Sequence, residues 1–428
     1  MRKKLLFVVV FSSLFLFSCN TLQAITVEEA IDVALENNLQ VLLAEEKLKE
    51  AEQGIKGAVA EYFPSLSFTG NYTHLGEVPS MSIPGFPGEI PMGEQDTTSL
   101  TLSLTQPLYT SGKLTLSKKQ AQLNYEKALQ DLKNTRTELV FKVRQSFYSV
   151  LLARESVKIA KKALDQAELH LKVVESFYKT GRASRFDLLR AKVEVANLKP
   201  EFIKAKNSLD LAKENLAIIL SSPSSSFKVE GNLEFEPLNL SLDEAIKTAL
   251  SSRSDLKGLL LMQKITELAL HLVKAQNSPT FSLVGNYEYT TSSGDDWNKN
   301  WNVNLVLSFT LFDSGRMKAS IKQAESQLRQ TEIAIKQLKD AICLEVKKAF
   351  WDMQAAKEAL FAQRKNVEQA EEALRIAEGR YKSGTITQVE VLDANLALNK
   401  ARLNYVRALY DYNLAKAALI KAMGREKM

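Results

Sequence analysis

Cysteine is nearly absent. The 428 residues contain only Cys19 and Cys343, so no disulfide framework is available, and Cys343 falls among helical apolar residues as a small core residue. Histidine is equally scarce: His74, His170 and His271 are scattered, with no second ligand type at metal-binding spacing, and read as surface or strand-end residues. No Walker motif, nucleophile elbow or glycine-rich nucleotide loop occurs, which leaves no constellation for an enzyme and no cradle for a cofactor. A charge excess is missing too. The 56 Lys and Arg against 50 Asp and Glu fall to 53 against 50 once Arg2, Lys3 and Lys4 are set aside, a balance that gives no basis for nucleic-acid binding. Beyond the N-terminal apolar run no uncharged stretch approaches the roughly 20 residues of a membrane-spanning helix, so a membrane role has to come from strands or from lipid.

The N-terminus itself reads as an export signal over residues 1–18, with basic Arg2, Lys3 and Lys4, the apolar run Leu5 to Phe17 and small Ser18. Leu16-Phe17-Ser18-Cys19 resembles a bacterial lipobox, which would make Cys19 the acylated first residue. Cleavage after Ala24, discarding Cys19, is the alternative.

What the chain does contain, it contains twice. Pro64-Ser65-Leu66-Ser67-Phe68-Thr69-Gly70-Asn71-Tyr72 recurs as Pro279-Thr280-Phe281-Ser282-Leu283-Val284-Gly285-Asn286-Tyr287. The capped helix start from Thr26 recurs from Ser241, Leu108-Tyr109-Thr110-Ser111-Gly112-Lys113 as Leu311-Phe312-Asp313-Ser314-Gly315-Arg316, and Tyr178-Lys179-Thr180-Gly181 as Tyr381-Lys382-Ser383-Gly384. Matches in one order, with the extra length of the first copy confined to the loop between its two strands, indicate a duplication. The expected organisation is a first repeat over 19–223, a Ser-rich linker over 224–238 and a second repeat over 239–428.

Each copy holds a strand pair, at about 64–75 and 98–109 and at about 279–290 and 300–312, followed by a helical hairpin at about 112–220 and 315–423. In the strands Leu100, Leu102 and Leu104 alternate with Thr101, Ser103 and Thr105, and Trp301, Val303, Leu305, Leu307 and Phe309 with polar partners, so one face is oily and the other wet. Tyr72, Tyr109, Tyr287, Tyr289, Trp297, Trp301 and Phe312 fall near strand ends, where outer-membrane barrels carry aromatic girdles. Four strands cannot close a barrel, and an open edge in lipid leaves backbone groups unpaired at several kcal/mol each. Copies of the chain therefore have to share one wall. Two copies would give eight strands and three would give twelve, and the arithmetic does not choose.

The helical stretches carry apolar or small residues at alternating steps of three and four, as in Ile335, Leu338, Ile342 and then Met353, Ala356, Leu360, a coiled-coil seam on a helix about 100 Å long. Gly181 and Gly384 supply the left-handed turn at which each hairpin reverses, and Ser184 and Thr387 can cap the returning helices. Pro200 is expected to bend the first return helix near Leu198.

Over essentially its whole mature length the chain resembles the TolC family of outer-membrane efflux proteins, most sharply in Tyr381-Lys382-Ser383-Gly384-Thr385-Ile386-Thr387-Gln388-Val389-Glu390-Val391-Leu392-Asp393-Ala394. The resemblance implies a mainly α fold with β. Long antiparallel coiled-coil helices would form an α-barrel, continued by four strands per chain in a transmembrane β-barrel, assembled as a homotrimer in the outer membrane and reaching into the periplasm. It implies a passive duct served by a periplasmic adaptor and an inner-membrane transporter, docking through turns that contain Gly181, Arg182, Ser184, Gly384, Thr385 and Thr387. It further implies that Glu390 and Asp393 face the lumen near the constriction. Their i, i+3 spacing puts both on one helix face, which solvated surface acids would also do. Asp187 and Tyr381 match positions that hydrogen-bond to hold related channels closed. At Ile386 the family pattern would place an arginine, so that lock is thinner here. A structural periplasmic coiled-coil lipoprotein without a lumen is the rival reading, and it leaves the strand alternation unexplained.

Overall fold

The computed structural model describes residues 24–82, 84–85, 87–222, 227–292 and 296–426. The signal segment and Cys19 lie outside the described residues. The first copy comprises β1 (Ala24–Ile25), α1 (Val27–Asn37), α2 (Leu39–Ala60), β2 (Ser65–His74), β3 (Ser80–Ser82), β4 (Glu89–Pro91), β5 (Asp96–Tyr109), α3 (Lys113–Lys179) and α4 (Arg185–Ile219). After β6 (Lys228–Val229) come α5 (Leu242–Ser252), α6 (Ser254–Ala275), β7 (Thr280–Thr291), β8 (Asn298–Ser308), α7 (Arg316–Lys382) and α8 (Gln388–Ala422). Corresponding helices have equal lengths of 11, 22, 67 and 35 residues, so the duplication extends to every helix.

Local chemistry sets the helix starts. Thr26 and Glu29 form a reciprocal cap, with Thr26 N and Oγ1 donating to Glu29 Oε2 at 2.8 and 3.0 Å, and Ser241 and Glu244 repeat it at 3.1 and 2.8 Å. The backbone and side-chain donors of Thr26 and Ser241 hold both carboxyls below the usual carboxylate range. α4 continues through Pro200 as one helix.

Two compact units divide the chain, and neither coincides with a repeat: one takes residues up to Asn37, Lys142–Glu236 and Ala356–Leu414, the other Asn38–Phe141, Pro237–Ala355 and Ala415–Met428. The second unit holds a four-stranded antiparallel sheet in the order β2-β5-β7-β8. Its register stacks Phe68, Leu102, Tyr287 and Trp301 in one cross-strand row and Ser67, Ser103, Asn286 and Asn302 in the next. Successive rows face opposite sides of a pleated sheet, so one side is largely apolar, broken by Gln106 and Lys299, and the other largely polar. On the polar side Ser103 Oγ donates to Asn286 Oδ1 at 2.7 Å and Asn286 Nδ2 to Asn302 Oδ1 at 3.1 Å. Among the described residues nothing covers the apolar side: Phe68 is 69 %, Trp301 70 % and Leu305 66 % exposed.

The strands differ from expectation at the end of β8 and in the loop after β2. β8 ends at Ser308 rather than reaching 312, because its neighbour β7 begins at Thr280, which is the partner of Ser308, and leaves nothing for Phe309 onward to pair with. β5 lies between two strands and persists to Tyr109 through a bulge after Pro107. The loop between β2 and β5 contains a short antiparallel ribbon, β3 with β4.

In the first unit residues 228–236, between the repeats, are strapped down. β6 pairs in parallel with β1, Arg154 of α3 donates to the carbonyls of Val229 and Gly231, and Tyr412 and Asn413 of α8 donate to the carbonyls of Glu236 and Glu234 at 2.9 and 3.1 Å. Phe235 wedges between Phe361 and Tyr412, with centroids 5.2 and 4.8 Å away. The seams read from the sequence are buried, with Leu139, Val143, Phe147 and Val150 on α3 and Ile335, Ile342, Met353 and Leu360 on α7. Cys343 departs from its expected core position and is half-buried, since it falls between inward Ile342 and outward Leu344.

Candidate functional site

Both hairpins of the first unit reverse in the same way. Gly181 and Gly384 adopt φ of +74° and +75°, which a side chain would strain. Arg182 N then reaches Phe177 O at 2.8 Å and Thr385 N reaches Arg380 O at 3.0 Å, closing the last turns of α3 and α7. The return helices start on caps. Ser184 N and Oγ donate to Asp187 Oδ2 at 3.0 and 2.7 Å while Asp187 N donates to Ser184 Oγ at 3.1 Å, and Thr387 N and Oγ1 both lie 3.2 Å from Glu390 Oε1.

The same geometry gives two of the expected site residues a local role as well. Asp187 does not hydrogen-bond Tyr381 within the chain; its carboxylate is the third-residue half of a capping box, and Glu390 occupies the same position in the other hairpin. Both acids sit where a helix N-terminus stabilises negative charge. Asp187 is nonetheless near Tyr381: burial first, and the Asp187 charge second, push the Tyr381 phenol above its ordinary value. A cavity of about 470 Å3 is lined by Asp187 and Tyr381 together with Arg182, Gly384, Thr387 and Gln388. Glu390 and Asp393 lie outside that cavity, both exposed, and Asp393 makes no hydrogen bond or ion pair among the described residues.

Tyr381 is held by ring packing. Its ring lies 5.8 Å from His170 and 6.3 Å from Phe177, both on α3. His170, expected at the surface, is half-buried, and desolvation lowers its pKa against the opposing influence of Glu378. The signal for it was present: Ala163, His170 and Phe177 recur at heptad spacing along α3. Ile386 is half-buried against Leu374, Val391 and Leu398, so the position where an arginine was expected closes an apolar cluster. Gln388, only 4 % exposed, has neither amide atom hydrogen-bonded, and no sequence argument singled it out. Among the described residues no three His, Cys, Asp or Glu are grouped to hold a metal ion.

Comparison with known proteins agrees with this architecture. The family model for outer membrane efflux proteins matches residues 30–222 and 245–425, one stretch in each repeat. The probable outer membrane lipoprotein SilC of Salmonella typhimurium is 24 % identical over 93 % of this chain and 85 % of its own length, and the outer membrane protein TolC of Vibrio cholerae is 23 % identical over 92 % and 90 %. The crystal structure of the Campylobacter jejuni CmeC outer membrane channel superposes with a TM-score of 0.79 at 16 % identity, covering 93 % of this chain and 85 % of that one. With both repeats matched and the fold shared throughout, the chain belongs to the outer membrane efflux protein family, whose members are outer-membrane channels rather than enzymes.

Proposed function

We propose that three copies of this chain form one exit duct of a tripartite efflux or type I secretion system. The duct would passively release what an inner-membrane transporter delivers through a periplasmic adaptor. One observation carries the reading: the four-stranded sheet has a largely apolar exposed face and two outer strands, β2 and β8, each paired on one side only. In lipid such edges are tolerable only when another copy pairs with them. Three copies, as the resemblance to TolC-type channels implies, supply twelve strands, within the range of outer-membrane barrels.

In this reading the hairpin tips are the inner mouth. The packing of Tyr381 on α3 and the charge of Asp187 bias the closed state, and the turns containing Gly181, Arg182, Ser184, Gly384, Thr385 and Thr387 meet the adaptor. Asp393, exposed and unpaired, and Glu390, partly engaged by Thr387, form carboxylate rings that favour cations. Cys19 carries the lipid anchor, a reading supported by the lipoprotein description of SilC. Single-channel recording in planar bilayers tests the duct. The purified protein should conduct, and Glu390→Gln with Asp393→Asn should lower cation over anion selectivity; a silent protein, even with Asp187 and Tyr381 replaced by alanine, would remove the pore.

A further inference from the structure

We propose that the cavity bounded by α3, α4 and α8 in the first unit is a binding site for lipophilic primary amines, a role that goes beyond the duct and needs only the folded chain. Its volume is about 360 Å3, and its walls are largely aliphatic, with Ala163, Leu392 and Leu403 among them. That size suits a body of one or two rings, at the small end of ligand pockets.

The polar groups decide the chemistry. Gln166 Oε1, His170 Nε2 and Asn399 Oδ1 belong to residues lining the cavity, are buried, and have no hydrogen-bond partner among the described residues. All three can accept. The two amide oxygens are acceptors outright, and burial keeps His170 neutral, so its Nε2 accepts when the proton is on Nδ1. Buried acceptors left unpaired are costly, and an ammonium group offers three donors and no acceptor. Charge points the same way, because two acids, half-buried Glu194 and exposed Glu201, line the cavity against one cation, Lys400, which is also exposed. A carboxylate ligand would meet three acceptors and two acids, and an apolar one would leave the acceptors unpaired. His170 also touches the Tyr381 ring, so an occupant of this site contacts the same imidazole that packs against the hairpin tip.

Isothermal titration of the full-length protein in detergent at pH 7.5 with tryptamine, and with uncharged N-acetyltryptamine, tests the assignment. Tryptamine should bind saturably at one site per chain. N-acetyltryptamine should bind at least about tenfold more weakly, as should tryptamine to the Gln166→Leu/Asn399→Leu double variant, whose side chains keep the size and lose the acceptors. Leu403→Trp, at a half-exposed position where folding tolerates bulk, should block binding by filling the cavity, and it replaces the double variant as the deciding comparison if that protein does not fold. No saturable tryptamine binding, a smaller preference over the acetylated form, or unaltered binding in the deciding variant overturns the proposal.

Discussion

At the scale of single residues, Gly424 has the least room for a side chain of any glycine among the described residues. It ends α8 at φ +71°, and a Cβ there would lie 2.8 Å from Arg253 Cα and 2.9 Å from Arg253 Cγ. Arg253 cannot retreat, because its guanidinium is ion-paired with Asp255 and Glu345 and donates to Ala422 O at 3.2 Å. Gly424→Ala should therefore cost about 1–3 kcal/mol, read as a lowered thermal midpoint. His170 gives a pH effect. Its folded pKa lies below the ordinary 6.5 because burial outweighs the pull of Glu378, so the unfolded chain binds the proton first. Stability from this residue is complete above about pH 6.5, declines as pH falls through that value, and levels off below the folded pKa. His170→Phe keeps a ring against Tyr381 and removes the proton, so the difference in melting temperature between parent and variant should change between about pH 7.5 and pH 5 in the variant's favour. A difference independent of pH would contradict it.

Elements show why some features were legible and others not. The hairpin turns could be read because glycine followed by Ser or Thr and then an acid has few alternatives, and the seams because Leu139, Val143 and Phe147 repeat their spacing. The end of β8 depends on where β7 begins, and the strap on the 227–236 segment depends on Arg154 and Tyr412, which are distant in sequence. The capping by Asp187 and Glu390 follows from Ser184 and Thr387, which stand three residues before each acid. Strand alternation was the clearest signal, and its energetic consequence is direct. Leu305→Arg, on the apolar face, should cost about 2–4 kcal/mol at mid-membrane depth and reduce heat-modifiable, outer-membrane-inserted protein, whereas Asn302→Arg on the polar face should insert normally. Equal insertion of the two variants would mean that the exposed apolar face does not meet lipid.

For the whole molecule the question is what completes the sheet. β2 and β8 are exposed along their full lengths, and three successive antiparallel pairings make them run in opposite directions. The β8 of one copy can therefore join the β2 of the next without breaking the antiparallel alternation, and repetition closes the wall. A cysteine at Thr69 of β2, combined with single cysteines stepped through β8 from Asn300 to Val306 in a Cys343→Ser background, should cross-link between chains. Bonds should form at alternate β8 positions, because only every second residue shares a face with Thr69. The covalent products should stop at three chains, since a closed ring has no free edge left to extend. Monomers alone would mean that the edges do not meet in the membrane, products ending at two would give an eight-stranded wall, and a ladder beyond three would mean an open array; each of these outcomes excludes the closed trimer.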